Sequence, residues 1–267
     1  MDVFKRSLAP ITDAAWEEIV DEATDTLKMH LSARRVVDVL GPHGMEHAAV
    51  SLGRLDLPKQ EEDAPVQFGI RQVQPLVEVR ARFELDVWEL DNIARGAKDL
   101  DLDAVVRAAR EAARFEEQAI YNGFPDAGIT GLAKAGEHKP VKLGEQSEEY
   151  PDLVATAVLT LQSADVKGPY TLVLGPKPYR LLERGCGGYP IRRRVEDLLG
   201  GGIVFAPFVG GGFLVSRRGG DMELTLGHDF ELGYETHDSR TVRLFLSESF
   251  TFRVLDPESF VPLVMGS

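Results

Sequence analysis

The sequence contains a single cysteine, Cys186, so no disulfide can form within the chain. A lone cysteine is typical of proteins that work in a reducing compartment. No apolar run is long enough to span a membrane, and the first ten residues, MDVFKRSLAP, lack the apolar core of a secretory signal peptide. These absences predict a cytoplasmic protein with no membrane partner.

Basic residues are in deficit. The chain has 43 acidic and 30 basic residues, which gives a formal net charge of -13. A protein that coats nucleic acid needs a net basic face to replace the counterions of the phosphates. The charge therefore argues against a nucleic-acid partner. With 267 residues and 43% hydrophobic content, the chain can form one large domain or two closely connected ones.

Catalytic and metal-binding motifs are also missing. The chain has no G-x-S-x-G, P-loop, H-E-x-x-H or C-x-x-C sequence. His43 and His47 are four residues apart, but Gly41, Pro42 and Gly44 argue against the helix that would place them together on a metal. The sequence predicts no catalytic residues and no metal site.

The acidic pairs and the glycine triplets are not interpreted as catalytic or phosphate-binding sites. The pairs Glu61–Glu62, Glu116–Glu117 and Glu148–Glu149 are interpreted as solvated surfaces. The triplets Gly200–Gly202 and Gly210–Gly212 lack the following Lys-Ser/Thr, or the helix start after a strand, that phosphate binding requires. They are interpreted as flexible connections.

The longest helical pattern covers residues 99–123. Apolar residues from Leu102 to Ile120 recur at spacings of three and four, with Glu116 on the same side. Gly123, followed by Phe124 and Pro125, ends the pattern. We expect this helix to be the spine of the fold.

A second helix is predicted over 10–32, with Thr12 as its N-cap. A short strand over 35–39 follows, and then strands over 48–57, 66–73 and 76–88 around a charged turn. A long hairpin with two partly polar faces has little to pack against, and isolated two-stranded ribbons are marginally stable in water. We expect this arm to find its partner in another subunit.

The remaining pattern predicts a mixed α+β chain without internal repeats. The predicted helices cover 152–164, 177–184 and 191–199, and the predicted strands cover 170–174, 203–207, 213–216, 222–226, 230–235 and 241–254.

Eight blocks of sequence occur in order along almost the whole chain. They are KRSLAPITDAAWEEI (5–19), ARRVVDV (33–39), FELDVWELDNIARG (83–96), FEEQAIYNG (115–123), GITGL (128–132), GPYTLVL (168–174), RRGGDMELTLGHDFELGYE (217–235) and TVRLFLSESFTF (241–252). Together they resemble the encapsulin shell proteins. The resemblance implies an α+β fold of the Hong Kong 97 type, the fold of tailed-phage major capsid proteins, with a peripheral (P) domain, an axial (A) domain and an extended E-loop.

The same resemblance implies an assembly. Encapsulins self-assemble into closed icosahedral nanocompartments, and the smallest (T=1) shell has sixty copies, one for each icosahedral rotation. They enclose cargo enzymes, such as a ferritin-like protein or a dye-decolorising-type peroxidase, through the cargo's C-terminal targeting peptide. A role in iron storage or oxidative stress is therefore expected, with pores for small molecules or iron. The shell protein itself is not expected to be an enzyme.

The resemblance also divides the chain. It implies an N-terminal helix and the start of the P domain over 1–47, the E-loop over 48–80, the P domain with its spine helix over 81–150, the A domain over 151–216 and a return to the P domain over 217–267.

A groove for the cargo's targeting peptide is the first site that the resemblance implies. Its candidate residues are Leu27, Leu31, Arg34, Val36, Asp38, Asp229, Phe230 and Leu232. Apolar side chains of an extended peptide would enter pockets, while Arg34 and Asp38 would fix its direction. The alternative is that Leu27, Leu31 and Val36 are ordinary core residues.

Two further sites are implied. The five-fold pore loop would be formed by Arg184, Gly185, Cys186, Gly187 and Gly188. Some encapsulins bind flavin on the shell, and here FMN or another flavin would stack on Trp88, with Arg80 and Tyr189 as neighbours. For Trp88 the alternative is a purely structural role, and for Cys186 it is an exposed thiol without a function.

Two other functions remain open at this point. A phage major capsid protein would share the fold, but the net charge of -13 argues against packaged DNA. A hydrolase is the other alternative, and the missing nucleophile motifs argue against it.

Overall fold

The computed structural model describes residues 3–59, 65–183 and 190–266. The helices are α1 (Asp13–His30), α2 (Val87–Ala94), α3 (Asp103–Asn122), α4 (Leu132–Ala135), α5 (Tyr150–Ser163), α6 (Pro176–Glu183) and α7 (Ile191–Leu199). The strands are β1 (Asp38–Leu40), β2 (Ala49–Asp56), β3 (Ile70–Pro75), β4 (Val77–Asp86), β5 (Val141–Leu143), β6 (Tyr170–Leu174), β7 (Gly200–Phe205), β8 (Gly212–Ser216), β9 (Met222–Leu226), β10 (Glu231–His237), β11 (Thr241–Val254) and β12 (Phe260–Met265).

Helix α1 begins at the predicted cap. The Thr12 hydroxyl accepts a hydrogen bond from the Ala15 N–H at 3.3 Å, which satisfies one of the free amides of the first turn. One face of the helix, including Trp16, Ile19 and Leu27, is buried. The helix is shorter than predicted, because Pro10 and Ile11 precede the Thr12 cap and the chain leaves helical geometry at Leu31.

Helix α3 is the predicted spine. Small side chains such as Ala109, Ala112 and Ala113 are fully or almost fully buried on one face, so α1 and β4 pack closely against it. The helix begins at Asp103 and ends before Gly123, whose φ of 92° only glycine adopts easily. A Cβ at Gly123 would also lie 2.8 Å from the Gly131 nitrogen.

The first of two five-stranded sheets is built around β11. Strand β4 pairs antiparallel with β11 along residues 241–250. On its other side, β11 pairs antiparallel with β10 through its first part and with β9 through its last part. Strand β1 then pairs parallel with β9. Residues 227–230 connect β9 to β10 along the same side of β11, outside the regular strand pairing. Asp229 and Phe230 of this connection lie beside the end of α1.

A second five-stranded sheet has the order β5-β12-β8-β6-β7. Its inner residues are fully buried and pack with α5 and α7 around Leu161, Leu172, Leu214 and Val261. Aromatic residues join the two sheets, because Phe213 of β8 and Phe252 of β11 belong to one continuous buried cluster.

Strands β2 and β3 form a ribbon of their own. In the described part of the chain they pair only with each other, as the sequence predicted. Apolar side chains stand exposed along the ribbon and its flanks, namely Leu52, Leu55, Leu57, Val66, Phe68, Ile70 and Val73. The predicted E-loop segment 48–80 also contains residues 77–80, which already lie in the β11 sheet.

Two local predictions were wrong. The strand predicted over 76–88 ends at Asp86, whose carboxylate accepts a hydrogen bond from the Trp88 N–H at 2.7 Å and starts α2. The strand predicted over 35–39 begins only at Asp38, because Ala33–Arg35 form a 3-10 turn. At Asp86 a local capping side chain overrides the alternating pattern. At Ala33 a distant side chain does so, because the Glu117 carboxyl accepts a hydrogen bond from the Ala33 N–H.

The glycine triplets are not flexible connections. Gly201 pairs within the sheet edge so closely that a Cβ would lie 2.5 Å from the Tyr170 carbonyl oxygen. A Cβ on Gly211 would lie 2.1 Å from the Leu263 carbonyl oxygen. Glycine is required at both positions because another backbone segment occupies the space of a side chain.

Candidate functional site

A pocket of about 510 Å³ opens between the last turns of α1 and residues 227–230. Its apolar surface comes from Leu27, Leu31 and Phe230, and charged side chains surround it. The complete lining is Thr24, Leu27, Lys28, Leu31, Arg34, Arg35, Asp229 and Phe230. An apolar floor with a few polar groups at the rim is typical of a site that binds an extended peptide or a small ligand.

The end of α1 places Arg34 in the wall of this pocket. The chain leaves the helix at Leu31 and forms the 3-10 turn Ala33–Arg35, which directs the Arg34 side chain toward the sheet. Its guanidinium lies over the Phe230 ring, with Cζ 5.1 Å from the ring centroid. A cation over an aromatic face is attracted by the ring's quadrupole, so the two side chains support each other.

Arg34 pairs with three carboxyl groups from three elements. Its Nε and Nη2 donate to Glu116 of α3 at distances of 2.6–3.1 Å, and its Nη1 donates to Asp229 at 2.8 Å. Its Nη2 also donates to Glu248 of β11. The side chains of Glu116 and Glu248 are fully buried, whereas that of Asp229 is 49% exposed. Burial alone would lower the Arg34 pKa. The three carboxyl groups have the opposite and larger effect, so the pKa lies above its usual value.

Glu248 is the second fully buried carboxyl group of this cluster. Burial raises the pKa of its carboxyl well above the usual range, and the neighbouring Glu116 charge raises it further. Both carboxyl groups accept a hydrogen bond from the same guanidinium nitrogen, Arg34 Nη2. Glu116 makes the two-pronged contact with Arg34, whereas the raised pKa of Glu248 favours its protonated form.

Glu117, the next residue of α3, binds the start of the 3-10 turn that follows α1. Its carboxyl accepts hydrogen bonds from the Ala33 N–H at 2.7 Å and from the Ser32 hydroxyl, which also contacts Tyr121 Oη at 3.0 Å. Burial raises the Glu117 pKa to about 8. The interpretation of Glu116–Glu117 as a solvated pair was therefore wrong, because both side chains are fully buried against the turn after α1.

The structure gathers five of the eight predicted groove residues in the pocket: Leu27, Leu31, Arg34, Asp229 and Phe230. The other three lie elsewhere. Val36 and Leu232 are buried in the cores beneath the sheet, 2% and 4% exposed. Asp38 accepts a hydrogen bond from the Gly220 N–H at 2.6 Å and borders a separate cavity of about 50 Å³.

Sequence reasoning missed several residues of this site. Thr24, Lys28 and Arg35 complete the pocket lining, and Glu248 completes the ion cluster beneath it. The position of Glu116 within the apolar stripe of α3 was the one available signal. A carboxylate on a buried helix face needs a cationic partner, which here comes from a distant part of the chain.

Trp88 and Arg80, two of the three residues predicted to bind flavin, do not meet within one chain. Trp88 stands 70% exposed at the start of α2, with the Arg95 guanidinium 5.5 Å from its ring. Arg80 lies instead over Phe245, 4.2 Å from that ring, and about six residues of extended strand, roughly 20 Å, separate it from Asp86. Tyr189 and the pore-loop residues 184–188 lie outside the described residues.

Neither a metal centre nor a membrane span is found in the part of the chain that the structure describes. The imidazole rings of His43 and His47 have centroids 4.8 Å apart, but no group of three or more His, Cys, Asp or Glu side chains is arranged to hold a metal ion there. No helix in those residues combines the length and the apolar character needed to cross a bilayer.

Comparison with known proteins gives a consistent result. Residues 1–251 match the protein-family model described as "Encapsulating protein for peroxidase". The chain is 44% identical to the type 1 encapsulin shell protein of Rhodospirillum rubrum, over 98% of this chain and 96% of that protein. It is 40% identical to the type 1 encapsulin shell protein of Mycobacterium tuberculosis, over 98% and 99%.

Solved structures show the same fold. The virus-like particle from Pyrococcus furiosus superposes with a TM-score of 0.67 at 18% identity, covering 92% of this chain and 98% of that one. The capsid of an empty GTA particle superposes with a TM-score of 0.56 at 15% identity, covering 89% and 90%. The predicted Hong Kong 97-type capsid fold is thereby confirmed. The chain belongs to the encapsulin shell protein family, and it is a structural protein rather than an enzyme.

Proposed function

We propose that this chain self-assembles into a closed icosahedral nanocompartment that encloses a cargo enzyme. The observation that carries the proposal is the ribbon β2–β3, which extends its apolar side chains into solvent and pairs with no other described strand. Exposed apolar surface on a two-stranded ribbon is unfavourable for a monomer. A neighbouring copy of the chain would cover it, as the E-loop assignment requires.

The smallest closed shell is the expected assembly. Sixty identical copies in one environment satisfy icosahedral symmetry, which gives the T=1 shell. The related virus-like particle and GTA capsid support a closed arrangement of this fold. The net charge of -13 favours an enzyme container over a DNA-filled phage capsid, because packaged DNA would be repelled.

The pocket at the end of α1 is the proposed cargo site. An extended C-terminal targeting peptide would place apolar side chains against Leu27, Leu31 and Phe230, and Asp229 at the rim would accept hydrogen bonds from the peptide backbone or a basic side chain. The position of Asp229, half exposed above the buried cluster, supports this polarity. Arg34 would act as a wall rather than as a free cation, since three carboxyl groups already surround it.

Peroxidase is the first cargo to test, because the matched family model is described by it. A ferritin-like protein is the second. The two would place the shell in oxidative-stress or iron metabolism respectively. The lone cysteine, Cys186, suits action in the cytoplasm. Mass spectrometry of proteins that co-purify with the shell from its native host is the test: a peroxidase or ferritin-like enzyme is expected, whereas packaged DNA with no enzyme would support the phage-capsid alternative.

Flavin binding at Trp88 is a second proposal. The exposed indole, with Arg95 beside it, offers a stacking surface and a cation for the phosphate of FMN. Arg80 of the same chain is too far along β4 to share that site, so any contribution from it would come from a neighbouring copy. Purified shells should absorb near 450 nm, where flavins absorb, and Trp88→Ala should abolish this absorbance. Colourless wild-type shells after addition of FMN would contradict the proposal.

A further inference from the structure

We propose that Glu116 and Glu248 are positioning residues of the cargo pocket, which together hold the guanidinium of Arg34 against Phe230 and can each substitute in part for the other. The inference rests on the proposed function of the pocket. It concerns two side chains that line no part of the pocket and that the sequence did not mark as functional.

The geometry supports a holding role. Glu116 reaches Arg34 from α3 and Glu248 reaches it from β11, so the guanidinium is fixed between a helix and the central strand of the sheet. Both carboxyl groups are fully buried, and only 17% of the Arg34 side chain is exposed. Asp229 contributes from the solvent side, where an ion pair is weaker. The buried pair therefore carries most of the restraint.

The geometry of the cluster explains the redundancy. One guanidinium nitrogen, Arg34 Nη2, donates to both buried carboxyl groups, so either carboxyl can remain as its partner when the other is lost. If the charge on Glu116 is removed, the Glu248 carboxyl loses the repulsion that helps keep it protonated, and it can ionise beside Arg34. If Glu248 is replaced by glutamine, Glu116 keeps its two-pronged contact with Arg34. Only the loss of both leaves Arg34 without a buried partner.

The position of Arg34 matters to the pocket because its guanidinium supports the Phe230 ring, and both belong to the pocket wall. A released arginine would extend toward solvent and leave Phe230 free to change rotamer. A pocket that must be ordered on binding has a lower affinity than one that is ordered beforehand. Glu116 and Glu248 should therefore affect peptide binding without touching the peptide.

The test compares Glu116→Gln, Glu248→Gln and the double variant, with Glu111→Gln as the matched control. Glu111 lies on the same helix, but its side chain is 65% exposed and pairs at 3.9 Å only with Arg114. Two quantities are measured on assembled shells. One is the reaction rate of Arg34 with phenylglyoxal, an arginine-specific reagent, followed by peptide mass spectrometry. The other is loading of green fluorescent protein fused to the C-terminal tail of the enzyme that co-purifies with wild-type shells.

The two single variants should each change both quantities by less than about threefold, and the double variant should raise Arg34 reactivity and lower loading by about tenfold or more. Additive effects, or a double variant with wild-type Arg34 reactivity, would overturn the proposal. Changed reactivity with unchanged loading would contradict the cargo assignment of the pocket instead. If the double variant does not assemble, adding Arg34→Met should restore assembly by removing the unpaired cation, and failure to do so would also overturn the proposal.

Discussion

Arg34 and Glu116 form a two-pronged ion pair in the interior of the protein, with nitrogen–oxygen distances of 2.6–3.1 Å. The pair joins the turn after α1 to the spine helix α3, and so connects the wall of the pocket to the core of the fold. Breaking a buried pair costs far more than breaking a surface pair, because the remaining charge stays without compensation.

Arg34→Met is expected to destabilise the protein by about 3 kcal/mol, because Glu116 then has no cationic partner in the interior. The measurement is urea unfolding followed by tryptophan fluorescence, to which the buried Trp16, 7% exposed, contributes the signal that changes on unfolding. The control is Arg107→Met, which removes an exposed pair with Asp103 at 4.0 Å and should cost at most about 1 kcal/mol. Equal effects of the two substitutions would contradict a structural role for the cluster.

Glu117 should make stability depend on pH. Burial raises its pKa from 4.5 to about 8, so the folded protein retains a proton that the unfolded chain loses within that range. The stability that the protonated group contributes is complete below pH 4.5 and is lost as the pH rises to about 8.

Glu117→Gln keeps an oxygen for the Ala33 N–H and places an amide beside the Ser32 hydroxyl, without a charge. Relative to wild type, this variant should gain stability steadily from pH 5 to pH 8, by roughly 4 kcal/mol at the upper end. Denaturant unfolding at several pH values measures the difference, and Glu111→Gln should show no such trend. A constant difference across the pH range would show that the carboxyl is already ionised at pH 5.

Thr24→Trp is expected to block cargo loading. Thr24 lines the pocket but takes no part in the ion cluster, so an indole at this position should fill part of the 510 Å³ and leave the fold intact. Loading of tagged fluorescent protein should fall by about tenfold, the effect of losing one good apolar contact site. Met29→Trp, on the same helix at a position 68% exposed and outside the pocket, is the control. Normal loading in Thr24→Trp shells would exclude this pocket as the cargo site.

The replacement Val36→Asp cannot serve this purpose, although the sequence suggested Val36 as a groove residue. Its side chain is 2% exposed and packs in the core that joins the two sheets. An unpaired carboxylate there would destabilise the whole fold. A loss of cargo loading in this variant would therefore result from misfolding rather than from a changed groove. A structural test of the groove therefore uses Thr24.

Much of the fold followed from periodicity, and the failures have identifiable causes. Residues 170–174, 191–199, 222–226 and 241–254 were predicted with the observed bounds. Runs of mostly buried residues mark the three strands, and the buried positions Ile191, Val195 and Leu199 recur at helical spacing. The start of α2 was missed because the alternation of β4 continues into it, and only the Asp86 cap marks the change.

The candidate site was predictable only in part. The resemblance to encapsulins placed Leu27, Leu31 and Phe230 in one groove, and the structure brings them together. The carboxylates beneath them could not be paired from the sequence, since Arg34 and Glu248 are 214 residues apart. Which distant charges meet depends on the register of the sheet and on how a helix packs across it. Neither can be inferred from local sequence patterns.

The ribbon should be needed for assembly but not for folding. Leu55 and Leu57 are 55% and 69% exposed, so the double substitution to aspartate should leave the unfolding free energy within about 0.5 kcal/mol of wild type. Charges at these positions should nevertheless prevent a neighbouring copy from covering the ribbon. Size-exclusion chromatography should show small species, whereas the conservative pair Leu55→Met and Leu57→Met should assemble normally. Full assembly of the aspartate variant would mean that the ribbon is not an interface.

The most direct test of the central claim is the mass of the purified particle, measured by mass photometry and checked by negative-stain electron microscopy. A shell of this chain should give one narrow population of closed, round particles containing sixty copies of the 29.4 kDa subunit. A single population at the mass of the free 29.4 kDa chain would contradict the account.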